Sequence, residues 1–302
     1  MQYLQFDNLN KKVSKIALGT TYFGANIDEK LAFELLDTYF EAGGTTIDTA
    51  RLYTDGLSES IVGKWLKLNK VEDEAVVIAK ALHNDENNQS RFTQENFLSD
   101  IKKSQDSLGL NSFDFWLFHR DDLSLPVHQI IDFASSLVTD GTIKNLGCSN
   151  WTTQRIELVK EKLKANEIQF SLAKTTPVAL EDETLVCMTK ESKLWYAKNN
   201  FPVFAFSSQA KGFFSKGIEN LSAKSKKRFL NDHNIKLFDR VNNLAKQKAL
   251  SATAIAIAYV TSQSFPTVAL IGPSSVEQLK ETLSEANLIL DKDDLDYLDG
   301  VI

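Results

Sequence analysis

The chain has 302 residues, of which 43% are hydrophobic and 25% are charged, and its formal net charge is −6. This length and this apolar share are sufficient for one large globular domain with a full core. The acidic balance argues against a nucleic-acid partner, because contact with a phosphate backbone requires a basic surface. Two cysteines are too few for a disulfide framework or a cysteine-rich metal site.

The sequence carries no signal for export or membrane insertion. Its first residues, MQYLQFDNLNKKVSK, lack an apolar signal core, and no apolar run approaches the ~20 residues of a membrane-spanning helix. We therefore expect no membrane partner and a location in the reducing cytoplasm.

Eight short apolar runs recur along the chain and predict eight β-strands. Most of them are apolar on both faces, which is typical of parallel strands buried beneath helices. In chain order the runs are Val13–Leu18, Thr45–Ile47, Ala75–Ala79, Phe113–Phe118, Ile143–Gly147, Glu167–Phe170, Val203–Phe206 and Thr267–Ile271.

The stretches between these runs have helical periodicity. Thr93 can cap a helix start, and Gly43 and Gly109 follow helical stretches where a left-handed glycine commonly ends a helix. The predicted helices include Glu29–Ala42, Ser58–Leu68, Thr93–Leu108, Val127–Thr139, Thr152–Lys164 and Ser275–Ala286.

Repeated strand–helix alternation predicts an α/β fold with a parallel sheet. Eight such units in a chain of this length fit a closed (β/α)8 TIM barrel that forms a single domain over residues 1–302. The alternative is an open doubly wound sheet, which usually carries G-x-G-x-x-G after its first strand, and no such string occurs here.

Two segments fall outside the repeat. The apolar run Tyr3–Phe6, a DNLNKK turn and the strand from Val13 predict an N-terminal β-hairpin that caps the floor of the barrel. The polar segment Ala210–Asn234 is long for a loop in a compact domain, and we interpret it as a lid over a ligand.

Asp48, Tyr53, Lys80 and His119 each lie at or just past the end of an apolar run. Taken singly, Asp48 could be a helix cap and Tyr53 a packing residue. Lys80 could reach solvent, and His119 could be a hydrogen-bonded histidine of the core. In a parallel barrel, however, all strand ends of this kind open on one face, where active sites are built. The four side chains are therefore predicted to converge on one pocket.

One mechanism uses all four side chains, namely the reduction of a carbonyl by hydride transfer. Tyr53 would donate the proton, because Lys80 would lower its pKa from about 10 toward neutrality. Asp48 would keep Lys80 charged and oriented. His119 would donate a hydrogen bond to the carbonyl oxygen.

The motifs around these residues resemble those of the aldo-keto reductase family. The resemblance runs from GTTYFG near the N-terminus to GPSSVEQL near the C-terminus. The string IDTARLY resembles the family segment with the catalytic Asp and Tyr, which implies these roles for Asp48 and Tyr53. The strand-ending Lys and His of the family fall on Lys80 and His119.

The same resemblance implies a nicotinamide cofactor and the residues that hold it. GCSNW resembles the segment whose Ser and Asn hold the carboxamide, here Ser149 and Asn150, and Gln169 matches a further carboxamide contact. Phe206 stands where the family often stacks a tyrosine on the nicotinamide, and Ser207 would border the pyrophosphate. The implied cofactor contacts are Gly19, Thr20, Thr21, Ser149, Asn150, Gln169, Phe206, Ser207, Ser208, Gln209, Ser274, Ser275 and Gln278.

Family members usually prefer NADPH and bind its 2′-phosphate with basic residues after the eighth strand. Here Ser274, Ser275 and Gln278 can donate hydrogen bonds but supply no charge, and helical spacing turns Lys280 toward solvent. The helix start near Ser275 favours an anion. We therefore expect NADP(H) binding with weak discrimination, and NAD(H) use stays open.

Two features depart from the family pattern. The catalytic His is followed by Arg120, Asp121 and Asp122, which we interpret as local ion pairs rather than substrate contacts. The chain ends soon after a helix beginning near Lys292, so the long C-terminal loop that selects substrates in some members is expected to be absent. Cys148 has no companion cysteine nearby and is predicted to be a packing residue.

Two other functions remain open at this point. An aldolase would use Lys80 as a Schiff-base nucleophile, which borohydride trapping would reveal. A non-catalytic redox sensor would bind the nicotinamide and regulate a partner, and steady-state turnover would exclude it. The resemblance favours an enzyme that reduces a small carbonyl substrate; the substrate and the oligomeric state do not follow from the motifs.

Overall fold

Eight parallel strands close into a barrel in the computed structural model, which describes residues 1–87 and 89–301. The sequence-based prediction of a (β/α)8 TIM barrel with an N-terminal hairpin is confirmed. After the hairpin strands β1 (Tyr3–Leu4) and β2 (Val13–Ser14), the barrel strands are β3 (Ile16–Gly19), β4 (Thr46–Asp48), β5 (Val76–Ala81), β6 (Phe115–Phe118), β7 (Leu146–Ser149), β8 (Asn166–Gln169), β9 (Val203–Phe206) and β10 (Thr267–Ile271).

Each barrel strand pairs with its neighbours in the sequence, and β10 pairs with β3 to close the ring. The predicted strand Ile143–Gly147 is displaced in the structure, where β7 covers Leu146–Ser149. Ile143 instead forms an isolated bridge with Phe113, below the regular barrel. The shift carries the strand to Ser149, so this polar residue belongs to the barrel rather than to the following loop.

The helices cover the outside of the barrel. Thr93 caps α3 by accepting a hydrogen bond from the backbone N–H of Asn96 at 3.2 Å, and Gly109 ends it at a φ of +68°. In chain order the helices are α1 (Glu29–Glu41), α2 (Leu57–Asn69), α3 (Gln94–Leu108), α4 (Val127–Asp132), α5 (Ser135–Thr139), α6 (Thr153–Glu157), α7 (Pro177–Leu180), α8 (Lys190–Asn199), α9 (Ala223–Phe229), α10 (Asp232–Lys248), α11 (Ala252–Thr261), α12 (Val276–Ser284) and α13 (Lys292–Asp299).

Two predicted helices are shorter than expected. The stretch 127–139 divides into α4 and α5, because the N–H groups of Phe133 and Ala134 bond three residues back rather than four. The stretch 152–164 contains only α6 and a 3₁₀ turn at Lys160–Lys162. Such tightened turns end helices, and here they bring the chain to β8 within a few residues.

The hairpin closes the N-terminal end of the barrel, as predicted. β1 and β2 pair antiparallel, with Tyr3 opposite Ser14. From the connecting turn, Phe6 packs edge-on against Phe115 inside the barrel, with ring centroids 4.9 Å apart. Phe6 and Leu9 thereby join the apolar cluster that fills the interior.

Side-chain alternation makes the barrel interior apolar at this floor and polar at the opposite end. Val76 and Ile78 of β5 belong to the interior cluster, and Lys80 follows them on the same face. Likewise, Ala165 belongs to the interior cluster, and Glu167 of β8 follows it two residues later on the same face. The carboxyl ends of the strands therefore carry charged groups into the barrel, directly above its apolar layers.

The segment Ala210–Asn234, interpreted above as a lid, is more structured than a loop. It contains a 3₁₀ turn at Ala210–Gly212, the helix α9 and the start of α10. Phe213 packs edge-on against its neighbour Phe214 at 5.1 Å and against Phe238 at 6.1 Å, and the second contact ties the segment to α10. None of the described helices is long and apolar enough to cross a membrane.

Gly147 of β7 lies where the barrel has no room for a side chain. A Cβ at this position would overlap Leu117 and would meet the Ala165 carbonyl oxygen at 2.8 Å. We expect Gly147→Ala to lower the free energy of unfolding by about 1–3 kcal/mol, the usual cost of overpacking, as measured by chemical denaturation. Gly272→Ala is the control, because a Cβ there meets nothing within 4 Å; equal losses in both variants would refute this packing constraint.

Candidate active site

Lys80 is the buried centre of the site. Its ammonium hydrogen-bonds to Oδ1 of Asp48 on β4 and lies 3.1 Å from Oε2 of Glu167 on β8. Lys80, Asp48 and Glu167 are respectively 0%, 2% and 3% exposed. The predicted ion pair between Lys80 and Asp48 is therefore present, and Glu167 is a second carboxyl that the sequence analysis did not identify.

Burial and charge act in opposite directions on this cluster. Burial alone would favour the neutral amine, but the carboxyls of Asp48 and Glu167 raise the pKa of Lys80 above its ordinary value. Burial raises the pKa of both carboxyls, while Lys80 lowers them. The two carboxyls therefore favour the ammonium form of Lys80 despite its burial.

Tyr53 lies against Lys80, in a 3₁₀ turn that follows β4. The segment is attached to β5, because the N–H of Arg51 donates to the carbonyl of Lys80 at 2.8 Å. Lys80 Nζ lies 5.3 Å from the centroid of the Tyr53 ring, and the Tyr53 hydroxyl hydrogen-bonds to Thr21. The phenol is thus held between the buried ammonium and the cavity described below.

The pKa of Tyr53 differs from the sequence-based expectation of a value lowered toward neutrality. Burial raises it above its ordinary value, Lys80 opposes this effect, and Asp48 and Glu167 reinforce it. The expectation was wrong about the net direction because it considered the ammonium without its two carboxyls and without desolvation.

His119 follows β6, and its N–H donates to the carbonyl of Ala81 at 2.8 Å. The ring lies 5.9 Å from that of Tyr53 and 5.0 Å from that of His83, both edge-on. Burial, assisted by Lys80 and Arg120, holds the pKa of His119 well below its ordinary value. The imidazole is therefore neutral at physiological pH, and its buried Nδ1 has no hydrogen-bond partner among the described residues.

Two of the three charges after His119, those of Arg120 and Asp121, form the local ion pairs that the sequence analysis expected. Arg120 lies 3.1 Å from Asp182, and Asp121 lies 3.0 Å from Arg155. Asp122 accepts a hydrogen bond from its neighbour Ser124, at 2.6 Å. Arg120 nevertheless lines the cavity, so its charge faces any ligand there.

A cavity of about 820 Å³ opens above this cluster at the carboxyl ends of the strands. It is lined by Asp48, Tyr53 and His119, with Lys80 beneath them. Among the predicted cofactor contacts, those on its wall are Gly19, Thr21, Ser149, Asn150, Phe206, Ser207, Ser208, Gln209, Ser274 and Gln278.

Three predicted cofactor contacts do not line this cavity. The Thr20 hydroxyl donates to the Asp48 carbonyl, and Gln169 donates to the Ser171 hydroxyl at 3.0 Å. Ser275 caps α12 by accepting from the N–H of Gln278 at 3.2 Å. These side chains are occupied by hydrogen bonds within the fold, and in β8 the cavity is lined by Glu167 rather than Gln169.

Ser149 and Asn150 are positioned by β8. The Ser149 hydroxyl donates to the Glu167 carbonyl at 3.0 Å, and the Asn150 amide donates to Ser149 at 3.0 Å. Asn150 has a left-handed φ of +60°, an uncommon conformation that is typical of functional sites. The neighbouring Cys148 is buried, and burial holds its thiol pKa well above the ordinary range, as suits the packing role predicted for it.

The structure adds cavity residues that the sequence analysis passed over. His83, Lys211 and Lys216 all line the wall. Lys211 Nζ lies 5.6 Å above the ring of Tyr22. Glu167 had a visible signal, since a Glu in an otherwise apolar strand must have a charged partner. Lys211 and Lys216 lie in the segment interpreted as a lid, but no motif distinguished them from the other polar residues of that segment.

Asp48→Asn tests the energetic role of the second carboxyl. Removing one partner of a buried ion pair usually costs ~3–5 kcal/mol. Because Glu167 can ionise and replace Asp48 beside Lys80, we expect the single variant to lose less than this in denaturant unfolding. The double variant Asp48→Asn/Glu167→Gln should lose the full ~3–5 kcal/mol of unfolding free energy. Equal losses in the single and double variants would show that Glu167 does not compensate for the missing carboxylate.

Comparison with known proteins agrees with this geometry. A family model described as the aldo/keto reductase family matches residues 15–302. An uncharacterized oxidoreductase, YrpG of Bacillus subtilis, is 27% identical over 100% of this chain and 96% of its own length. Norsolorinic acid reductase of Aspergillus flavus is 26% identical over 95% of this chain and 77% of its own length.

Solved structures show the same fold. An aldo/keto reductase from Klebsiella pneumoniae, in complex with NADP and acetate, matches with a TM-score of 0.71 and 20% identity, over 96% of this chain and 92% of that one. A second Klebsiella pneumoniae aldo-keto reductase, in complex with NADPH, matches with a TM-score of 0.72. Because the family model covers nearly the whole chain, and because the strand-end cluster lies where the motifs placed it, this protein belongs to the aldo/keto reductase family.

Proposed function

We propose that this enzyme reduces an aldehyde or ketone to an alcohol with NADPH, and that Tyr53 is the proton donor. The observation that carries the proposal is the phenol of Tyr53, held between a cavity and a buried ammonium. The names of the relatives support the reaction class, and the nucleotide complexes of the two structural neighbours support the cofactor.

The cavity residues suit a nicotinamide cofactor, which supplies the hydride when bound. The cavity volume of about 820 Å³ lies at the upper end of the range for small-molecule sites. Ser149 and Asn150 offer an amide-binding pair, and Phe206 offers a flat apolar surface for a ring. His119 contributes a buried nitrogen without a partner, which a ligand in the cavity can satisfy.

Each side chain of the cluster then has a distinct task. Neutral His119 donates a hydrogen bond to the carbonyl oxygen and stabilises the negative charge that develops there. Tyr53 gives its hydroxyl proton to that oxygen, and the ammonium of Lys80 stabilises the tyrosinate that results. Asp48 keeps the ammonium charged and oriented.

The ammonium form of Lys80 disfavours the aldolase alternative. A Schiff-base lysine must lose its proton to attack a carbonyl. The carboxyls of Asp48 and Glu167 raise the pKa of Lys80 despite its burial, so the reactive amine would be scarce.

Tyr53→Phe tests the assignment of the proton donor. Removing the hydroxyl should lower kcat by at least ~10²-fold, the range of general acid catalysis, while cofactor affinity measured by fluorescence titration changes little. Tyr3→Phe is the matched control, because Tyr3 lies on the distant hairpin and its hydroxyl donates to the carbonyl of Gly43, which follows α1. Near-normal turnover in Tyr53→Phe would assign the proton to another group, and absence of turnover in the unaltered enzyme would favour the non-catalytic redox sensor.

Cofactor choice can be measured as the ratio of kcat/KM values for NADPH and NADH at fixed salt. Ser274 and Gln278 supply hydrogen bonds without charge, and Glu281 on the same wall opposes a phosphate, whereas Lys211 and Lys216 attract one. We expect NADPH to be preferred by less than ~10³-fold, or ~4 kcal/mol, and the preference to shrink at high salt as charges are screened. A larger, salt-insensitive preference would require a buried basic clamp.

A further inference from the structure

Glu167 is a buried titratable group for which the proposed reaction has no task. It lies on β8, across the barrel from the strand that carries Asp48, and its carboxyl lies 3.1 Å from the ammonium of Lys80. The Asp48 carboxyl meets the same ammonium, and two carboxylates that share one site repel each other unless one of them holds a proton.

Counting charges leads to the same conclusion. The cluster contains one ammonium and two carboxyls, all at most 3% exposed. If both carboxyls were ionised, the barrel would enclose a net negative charge, and an uncompensated buried charge is strongly unfavourable. Asp48 makes the closer contact with Lys80 and remains the carboxylate, so the proton belongs on Glu167.

We propose that Glu167 is a positioning residue that holds a proton against the Asp48 carboxylate, and that reduction requires this protonated form. The inference rests on the proposed function, because it acts through Lys80 and Tyr53. With Glu167 neutral, Lys80 and Asp48 balance, and only one new negative charge forms when Tyr53 gives up its proton. With Glu167 ionised, the tyrosinate must form beside an existing excess of negative charge.

The surroundings of Glu167 set the pH range in which its carboxyl keeps the proton. Burial, followed by the Asp48 carboxylate, raises the pKa of Glu167 to about 8. The other titratable groups that face it are Lys80 and Tyr53, whose pKa values are raised, and His119, whose pKa is lowered well below the neutral range. Arg120 is paired with Asp182.

The strands that flank β8 add no titratable group to the described cavity wall. β7 contributes Ser149 and β9 contributes Phe206. Titration near pH 8 is therefore assigned to Glu167 with its partner Asp48, because the pKa shifts of Tyr53, Lys80 and His119 all lead away from this range.

Glu167→Gln imitates the protonated carboxyl permanently, because its amide donates to Asp48 and its oxygen accepts from Lys80. The measurement is kcat/KM for reduction of 4-nitrobenzaldehyde with NADPH between pH 5.5 and 10. We expect the unaltered enzyme to lose activity as the pH rises through about 8, and Glu167→Gln to keep its activity at least one pH unit higher. Coinciding alkaline limbs in the two enzymes would overturn the proposal.

A second measurement does not depend on turnover. A carboxyl whose pKa is raised in the folded state destabilises the fold progressively as the pH rises from its unfolded value toward its folded value. The Tm of Glu167→Gln should therefore exceed that of the unaltered protein at pH 9 and approach it at pH 5. A Tm difference independent of pH would overturn the proton on Glu167, even if the protein proved to be a sensor without turnover.

Controls separate charge from packing. Glu157→Gln removes an exposed carboxyl that is paired with Lys160, and it should reproduce the alkaline limb and the pH dependence of Tm of the unaltered enzyme. Glu167→Leu removes the charge without restoring the hydrogen bonds. Like Glu167→Gln, it should remove the contribution of Glu167 to the pH dependence of Tm, but its kcat/KM should be lower than that of Glu167→Gln at every pH, because Lys80 loses one of the groups that orient it; a Glu167→Leu enzyme as active as Glu167→Gln would refute the positioning role.

Discussion

A single ammonium, Lys80, determines the chemistry of this barrel. A charge with no exposure to water is tolerated only beside compensating carboxyls. Asp48 lies on β4 and Glu167 on β8, so the two carboxyls that compensate the charge of Lys80 come from opposite sides of the barrel. Tyr53 then lies at the boundary between this compensated interior and the cavity.

The cluster separates a packed base of the site from an open cavity above it. Beneath Lys80 the barrel is filled by interdigitated apolar side chains and is closed by the hairpin through Phe6. Above it, strand ends, helices and loops build the cavity wall, including the segment that carries Lys211 and Lys216. In the reaction proposed above, proton transfer would depend on the packed part, whereas substrate and cofactor choice would depend on loops that can vary without disturbing the core.

Local pattern was sufficient to predict the barrel and the convergence of Asp48, Tyr53, Lys80 and His119 on one pocket, but not the electrostatic balance there. The position of Lys80 at the end of an apolar run was enough to predict that it lies at the common pocket, since the ends of parallel barrel strands open on one face. The pKa of Tyr53 was predicted in the wrong direction, because burial raises it and because Asp48 and Glu167, the latter more than one hundred residues away along the chain, oppose Lys80. The division of the stretch 127–139 was likewise missed, because tightened turns at Phe133 and Ala134 have no distinctive sequence signal.

The sequence by itself determined the order of strands and helices, the closed barrel, and the face on which Asp48, Tyr53, Lys80 and His119 meet. These features follow from hydrophobic periodicity, which can be recognised in short segments, and from the common geometry of parallel strands. Only the tertiary structure decided that Lys80 has two carboxyl partners and that β8 presents Glu167 rather than Gln169 to the cavity. Distances across a barrel depend on how all its strands close together, and no local segment encodes them.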